Sequence, residues 1–141
     1  MSSIREQIME RVKTTLAGTP GVDGRCWRSR RSPVGPDEMP AIIIKPDDEQ
    51  PSETTTGGTD ARTTVLVEVF ARGLVPDSAA DAVLVSAHAL LMADTTQGGL
   101  AIDTSEAGTT WDLEDSDEGT CKVTMRFVVW HRHARNNLST R

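Results

Sequence analysis

Residues 66–78, LVEVFARGLVPDS, place the strongest constraint on how this chain can fold. The first half alternates in character and contains β-branched side chains, which is typical of a half-buried strand. A short turn and Pro76 follow, after which Asp77 or Ser78 can cap a helix. The middle of the chain is therefore predicted to pass from a core strand directly into a helix.

Two long strands are predicted to form the centre of a sheet. In residues 62–72, alternate side chains divide into a core-facing set and a second set that includes Glu68, so the second face is predicted to be partly solvated or to meet a partner. Residues 120–131 show the same period of two. The side chains predicted to face the core from these strands are Thr63, Val65, Val67, Val69, Cys121, Val123, Met125, Phe127 and Val129.

Two amphipathic helices accompany these strands. The first is predicted over residues 3–17, where Ser3 and Glu6 can form a capping box ahead of an apolar residue at every fourth position. The second ends near Asp94 and carries His88, which we interpret as a structural residue. Shorter strands are predicted at residues 25–30, 39–45, 100–103 and 109–113.

These elements indicate the α+β class, with a single antiparallel-rich β-sheet, two helices packed on one face and a long polar loop at residues 46–61. A loop of that length is uncommon within a compact domain and is usually functional. The length predicts one domain, over residues 1–132. Residues 133–141 have no apolar pattern and are predicted to form a mobile tail unless a neighbour holds them.

The charge of the chain is acidic overall and unevenly distributed. A formal net charge of −6 argues against nucleic-acid binding by the domain as a whole, because affinity for phosphates comes largely from Lys and Arg. Acids are concentrated in residues 37–60 and 103–118, whereas bases are concentrated after residue 121. Such runs are either solvated loops and tails or charge-complementary contacts between copies.

No reactive constellation is evident in the sequence. It contains no nucleophile elbow, P-loop or dinucleotide-binding motif. Cys26 and Cys121 lack a zinc spacing and are predicted to be buried free thiols in a reducing compartment. An EF-hand built on Gly119 would need a carboxylate where Met125 stands. His131 and His133 share a strand face without a third ligand. We therefore predict no catalytic residue, no metal and no cofactor, and neither a signal peptide nor a membrane span.

The chain resembles the tail terminator family of long-tailed bacteriophages. Residues 67–70 (VEVF), 75–78 (VPDS) and 81–82 (DA) are similar to the central strand, turn and second helix of that family in order and spacing. Residues 39–42 (MPAI), after the first helix, and the acidic turn around Asp115, Asp117 and Gly119 also fit. The resemblance covers roughly residues 3–131, and the loop at 46–61 and the extension after residue 131 depart from it.

The resemblance implies a structural role without enzymatic activity. Family members form a homo-hexameric ring that caps the tail tube, ends its polymerisation and gives the head a surface to join. The implied partners are other copies of the chain, the major tail tube protein and a head–tail connector or head completion protein. Genomic DNA would pass through the lumen without specific binding, and no membrane is involved. The implied location is the head-proximal end of the virion tail, after assembly in the host cytoplasm.

Charged residues are the candidates for contacts with other subunits or with the tube. The basic cluster at residues 28–31 is interpreted as meeting acids of another copy, and residues 46–61 as an assembly loop whose deletion leaves the monomer folded but prevents capping. Two alternatives stay open: a neighbouring head–tail connector or tail completion protein, and an unrelated small metal-binding module. The candidate interface residues are Arg28, Arg30, Arg31, Asp47, Asp48, Glu49, Glu53, Glu68, Arg126, Arg132 and Arg135.

Overall fold

Two helices and a five-stranded open sheet make up the fold. A computed structural model describes residues 2–54, 57–113 and 119–141, without the side chains of residues 52–54. In chain order the elements are α1 (Ile4–Leu16), β1 (Cys26–Arg28), a short 3-10 helix (Pro36–Glu38), β2 (Ala41–Thr54), β3 (Gly58–Arg72), α2 (Pro76–Met92), β4 (Asp103–Leu113) and β5 (Thr120–Ala134). The strand order is β1-β2-β3-β5-β4, with β1 parallel to β2 and the other neighbours antiparallel. The predicted α+β class is confirmed.

Both helices pack against the same face of the sheet. Each contributes one apolar stripe to a single core, and the alternate residues of β3 and β5 meet those stripes as their period of two predicts. Phe127 and Val67 are fully buried at the centre of this layer. The opposite side of the sheet, here called the open face, is covered by neither α1 nor α2 and carries Lys45, Glu68 and Lys122. Pro36 and the loop before it line a groove over part of this face.

The loop predicted at residues 46–61 is wrong for the described part of that range, because β2 extends to Thr54, β3 begins at Gly58 and the two strands pair as a hairpin arm. Glu49 pairs with Thr63, and Gly58 at the far end of β3 pairs with Ala134 of β5. The prolines that suggested a loop, Pro46 and Pro51, lie at register shifts of β2. Beyond Ile44 this strand has no partner on its outer side among the described residues, and an edge strand tolerates residues without an N–H.

The strand β4 and the start of α2 differ from the predicted boundaries. The strand predicted at 100–103 is wrong, since β4 begins only at Asp103. β4 continues through the strand predicted at 109–113, after a bulge between Glu106 and Gly108, where Gly108 has a φ of +122°. Helix α2 begins at Pro76, without a side-chain cap from Asp77 or Ser78. The predicted acidic turn at residues 114–118 lies outside the described residues.

The C-terminal segment is hydrogen-bonded to the rest of the chain. The backbone N–H of Ile4 donates to the carbonyl of Leu138 at 2.8 Å, and that of Ala134 donates to Thr140 at 2.7 Å. The Arg141 guanidinium donates to the carbonyl of Gly99. The segment therefore folds back onto the start of α1, while the domain boundary at residue 132 stays a prediction. Neither described helix combines the length and apolar character needed to cross a membrane.

Candidate interaction surfaces

A buried carboxylate lies at the centre of the open face. The side chain of Glu68 is only 7% exposed and lies 3.4 Å from the ammonium of Lys45 and 3.5 Å from that of Lys122. Glu68 itself is not solvated, because the two lysines cover it from the neighbouring strands, although both lysines are partly exposed on the same face. The open face therefore presents lysine ammonium groups outward and keeps their counter-charge beneath. That this face meets a partner stays a prediction.

Further ion pairs join β5 to the two strands of the hairpin arm. Arg126 donates to Asp47 at 2.7 Å, and Arg132 donates to both oxygens of Asp60. The hydrogen bond from Arg132 is the main cause of a lowered pKa at Asp60. Both arginines are partly exposed, so these pairs fix side-chain positions more than they stabilise the fold.

The arginines that follow Cys26 have three different roles. Arg28 donates to Glu6 and Glu10 of α1, which links β1 to the helix layer and lowers the pKa of Glu6.

The capping box predicted at the start of α1 is half present. The Ser3 hydroxyl accepts from the Glu6 backbone N–H at 3.1 Å, but the Glu6 carboxylate accepts from Arg28 instead of from the Ser3 backbone.

The next two arginines lie in the loop after β1. Arg30 binds both oxygens of Glu38, at 2.9 and 2.8 Å, and stacks over the ring of Trp27. Hydrogen bonding from Arg30 lowers the pKa of Glu38 to about 2. Arg31 is exposed and makes no ion pair with the described residues. It borders a groove of about 340 Å³ whose other basic residues include Lys45 and Lys122.

A polar cluster closes one end of the core. Glu49 accepts from the Arg5 guanidinium at 2.8 Å and from the Thr63 hydroxyl at 2.6 Å. The Thr63 oxygen also lies 2.8 Å from Nε2 of His131. Because the Thr63 hydroxyl already donates its proton to Glu49, Nε2 of His131 is the donor in this second hydrogen bond. His131 is fully buried, and burial is the main cause of its lowered pKa. The cluster joins α1, β2, β3 and β5 within one chain.

The buried histidine predicts a loss of stability in mildly acidic solution. Because the pKa of His131 is lower in the folded protein than the unfolded value of 6.5, the unfolded chain takes up the proton first as the pH falls. The free energy of unfolding is expected to fall below pH 6.5 by at most about 1.4 kcal/mol per pH unit. Urea unfolding at about pH 7.5 and about pH 5.5 measures the difference between the two conditions.

The variant His131→Gln is expected to show a smaller difference between the two pH values than the unmodified protein. His133→Gln is the matched control, since His133 lies two residues along the same strand but is only partly buried. Equal pH dependence in all three proteins would contradict the assignment of this effect to His131.

The described residues contain no group of three or more metal-binding side chains. His131 and His133 occupy the same face of β5, as predicted, but His131 is taken up by Thr63 and Glu49. Burial raises the pKa of the Cys26 thiol to about 11 and also raises that of Cys121. The prediction of buried free thiols is confirmed.

The edge formed by α2 and β4 was not identified from the sequence. A groove of about 450 Å³ runs between the two elements, with Val85 and Trp111 on its walls and His88 paired to Glu106 at its side. His88 is thus a partly exposed surface residue, bonded within the chain as predicted. Val85 is 63% exposed and Trp111 is 56% exposed. We call this region the acidic edge and define it by Asp77, Asp81, Val85, Trp111, Asp112 and Leu113.

The fold has a counterpart among solved structures. One matching chain belongs to a structure described as the virion of a native gene transfer agent particle, with a TM-score of 0.62 and 13% sequence identity. The match covers 92% of this chain and 92% of that chain. The two chains share a fold. No family model matches the sequence, and no curated protein matches it either.

The shared fold does not by itself select interface residues, and the eleven sequence candidates differ in their surroundings. Among the candidates whose side chains the structure describes, most form ion pairs or hydrogen bonds within the chain. Arg31, Asp48 and Arg135 are exposed and make no ion pair with other described residues. The side chain of Glu53 lies outside the described part. Their assignment to an interface stays a prediction. The acidic edge could have been predicted from the sequence, because large apolar residues such as Trp111 stand within an acidic segment.

Proposed function

We propose that the protein is a structural, non-enzymatic component of a phage-like virion. The observation that carries this proposal is the shared fold with a chain of a gene transfer agent virion, which extends over 92% of both chains. The proposed location is therefore the virion, and the proposed partners are other virion proteins.

The finer proposal is that the chain is a tail terminator. It is supported by the resemblance of residues 67–82 to the central strand, turn and second helix of that family. In the structure these residues span the end of β3, the turn and the start of α2. Copies of the chain would form a hexameric ring on the last layer of the tail tube, stop its growth and offer the other side to a head–tail connector. The DNA would pass through the ring without specific binding.

Particles assembled without this protein test the role. A tail terminator is expected to leave tubes that grow beyond their normal length and do not join heads, and electron microscopy measures both properties. Supplying the unmodified gene in trans should restore normal length and joining. Tails of normal length that fail to join heads would instead indicate a connector or tail completion protein. Normal particles would contradict both roles.

A further inference from the structure

The exposed apolar side chains are concentrated at one edge of the molecule. Among the described residues, the large apolar side chains with high exposure are Leu74, Val75, Val85, Trp111, Leu113 and Leu138. All except Leu138 lie on α2, on the turn before it or on β4. A monomer rarely keeps large apolar side chains grouped in this way unless the region contacts a partner. Trp is also the residue type most enriched among interface residues that dominate binding.

The same edge carries charge of one sign. Neither α2 nor β4 contains a lysine or an arginine, and Asp77, Asp81 and Asp112 make no ion pair with the described residues. An apolar centre with unpaired charges around it matches the anatomy of a protein interface. The charges indicate that the partner surface is basic.

A basic surface lies at the other end of the sheet. Residues 25–31, RCWRSRR, contain four arginines and no acid, and they include the edge strand β1 and the start of the following loop. We call these residues the basic edge. Arg25, Arg28 and Arg30 are ion-paired within the chain, but Arg31 is exposed at the rim of the groove that also contains Lys45. Trp27 supplies a partly exposed aromatic ring beside Arg30.

The two edges are at opposite ends of one sheet. The strand order begins with β1 and ends with β4, so the acidic edge of one copy and the basic edge of the same copy cannot meet. Two different surfaces of opposite charge on opposite sides of a chain are suited to a heterologous contact, in which each copy uses one surface on each neighbour. Repetition of such a contact closes into a ring when the rotation per copy allows it.

We infer that the acidic edge binds the basic edge of a second copy of this chain, with Trp111 and Leu113 as apolar anchors and Arg31 as a partner for the acids around them. This inference rests on the proposed ring and assigns the surfaces that build it. It also separates charged candidates that are bonded within the subunit, such as Glu68, from Arg31, which is exposed on the basic edge and available to a neighbour.

Two interface variants and two controls test the assignment. Trp111→Ala truncates the acidic edge, and Arg31→Glu reverses the charge of the basic edge. Each variant is expected to weaken self-association by roughly thirtyfold, measured by analytical ultracentrifugation, and to remove rings from negative-stain images. Arg11→Glu reverses one charge, as Arg31→Glu does, at an exposed position of α1 that pairs with Asp94. Leu138→Ala truncates an exposed apolar side chain outside both edges, as a control for Trp111→Ala. Both controls should leave self-association unchanged.

Mixing the two interface variants gives the sharper readout. Trp111→Ala keeps a normal basic edge and Arg31→Glu keeps a normal acidic edge, so the mixture should form dimers that neither variant forms alone and that do not close into rings. This rescue also shows that both variants are folded. If either variant alone associates as the unmodified protein does, or if the mixture gains no association, the assignment of the edges is wrong.

Failure of the edge assignment can be distinguished from failure of the proposed function. An unmodified protein that forms rings while both variants also form them would overturn the edge assignment and leave the tail terminator proposal intact. An unmodified protein that stays monomeric at the highest attainable concentration would overturn the edge assignment as well. The tail terminator proposal itself is decided by the tail lengths of particles that lack the protein.

Discussion

Replacing Phe127 by alanine is expected to lower the free energy of unfolding by about 3–5 kcal/mol, which is a large part of the stability of a domain of this size. Phe127 is 1% exposed and lies on the helix-covered face of β5, opposite Val65 of β3. Two packed helices and a sheet surround the ring, so the structure cannot collapse fully into the space that truncation leaves. Urea unfolding followed by circular dichroism measures the change.

The second phenylalanine of the chain provides a matched control. Phe70 lies on the open face of β3 and is only partly buried, so Phe70→Ala removes the same atoms from a site that water already reaches. A loss of about 1–2 kcal/mol is expected there. Equal losses at the two positions would contradict the division of the sheet into a core face and an open face.

Gly119→Ala is expected to cost about 2–4 kcal/mol, from strain in the left-handed region and from a backbone clash. Gly119 has a φ of +60°, and a Cβ at this position would lie 2.6 Å from the carbonyl oxygen of Gly73. The Gly73 N–H donates to the Gly119 carbonyl at 3.0 Å, so the start of β5 and the turn before α2 are held together backbone to backbone. The clash cannot be relieved by moving a side chain.

Gly99→Ala isolates the conformational part of this cost. Gly99 has a φ of +87°, but nothing lies within 4 Å of the position of its Cβ. About 1 kcal/mol is therefore expected from the backbone conformation alone. Thermal or urea unfolding of both variants compares the costs. A Gly119→Ala protein as stable as Gly99→Ala would show that the contact with Gly73 does not constrain the fold.

The sequence predicts the parts of this fold that depend on a strong local pattern. The period of two in residues 62–72 and 120–131 assigned the core faces of β3 and β5 correctly, because burial on one side forces alternation. The four-residue repeat from Ile4 located α1 to within one residue. The turn at Gly73 and Pro76 correctly separated β3 from α2.

Features that depend on a distant neighbour were not predictable in this way. Residues 46–54 are polar and contain two prolines, and they form a strand because β3 supplies hydrogen-bond partners along one side. The burial of Glu68 depends on Lys45 and Lys122, which are adjacent only after the strands pair. The same holds for the candidate surfaces, since the charge runs along the chain do not show which arginines are paired within the fold.

The length of the paired strands has a mechanical consequence. β3 and β5 pair residue by residue from Gly58 and Ala134 to Arg72 and Thr120, without a register shift. At about 3.3 Å per residue this pair forms a beam of roughly 50 Å. A load along the beam is shared by all of its hydrogen bonds at once, because they lie side by side across the direction of the force. Tension at the outer end of the arm would therefore reach the layer around Phe127 through a stiff element.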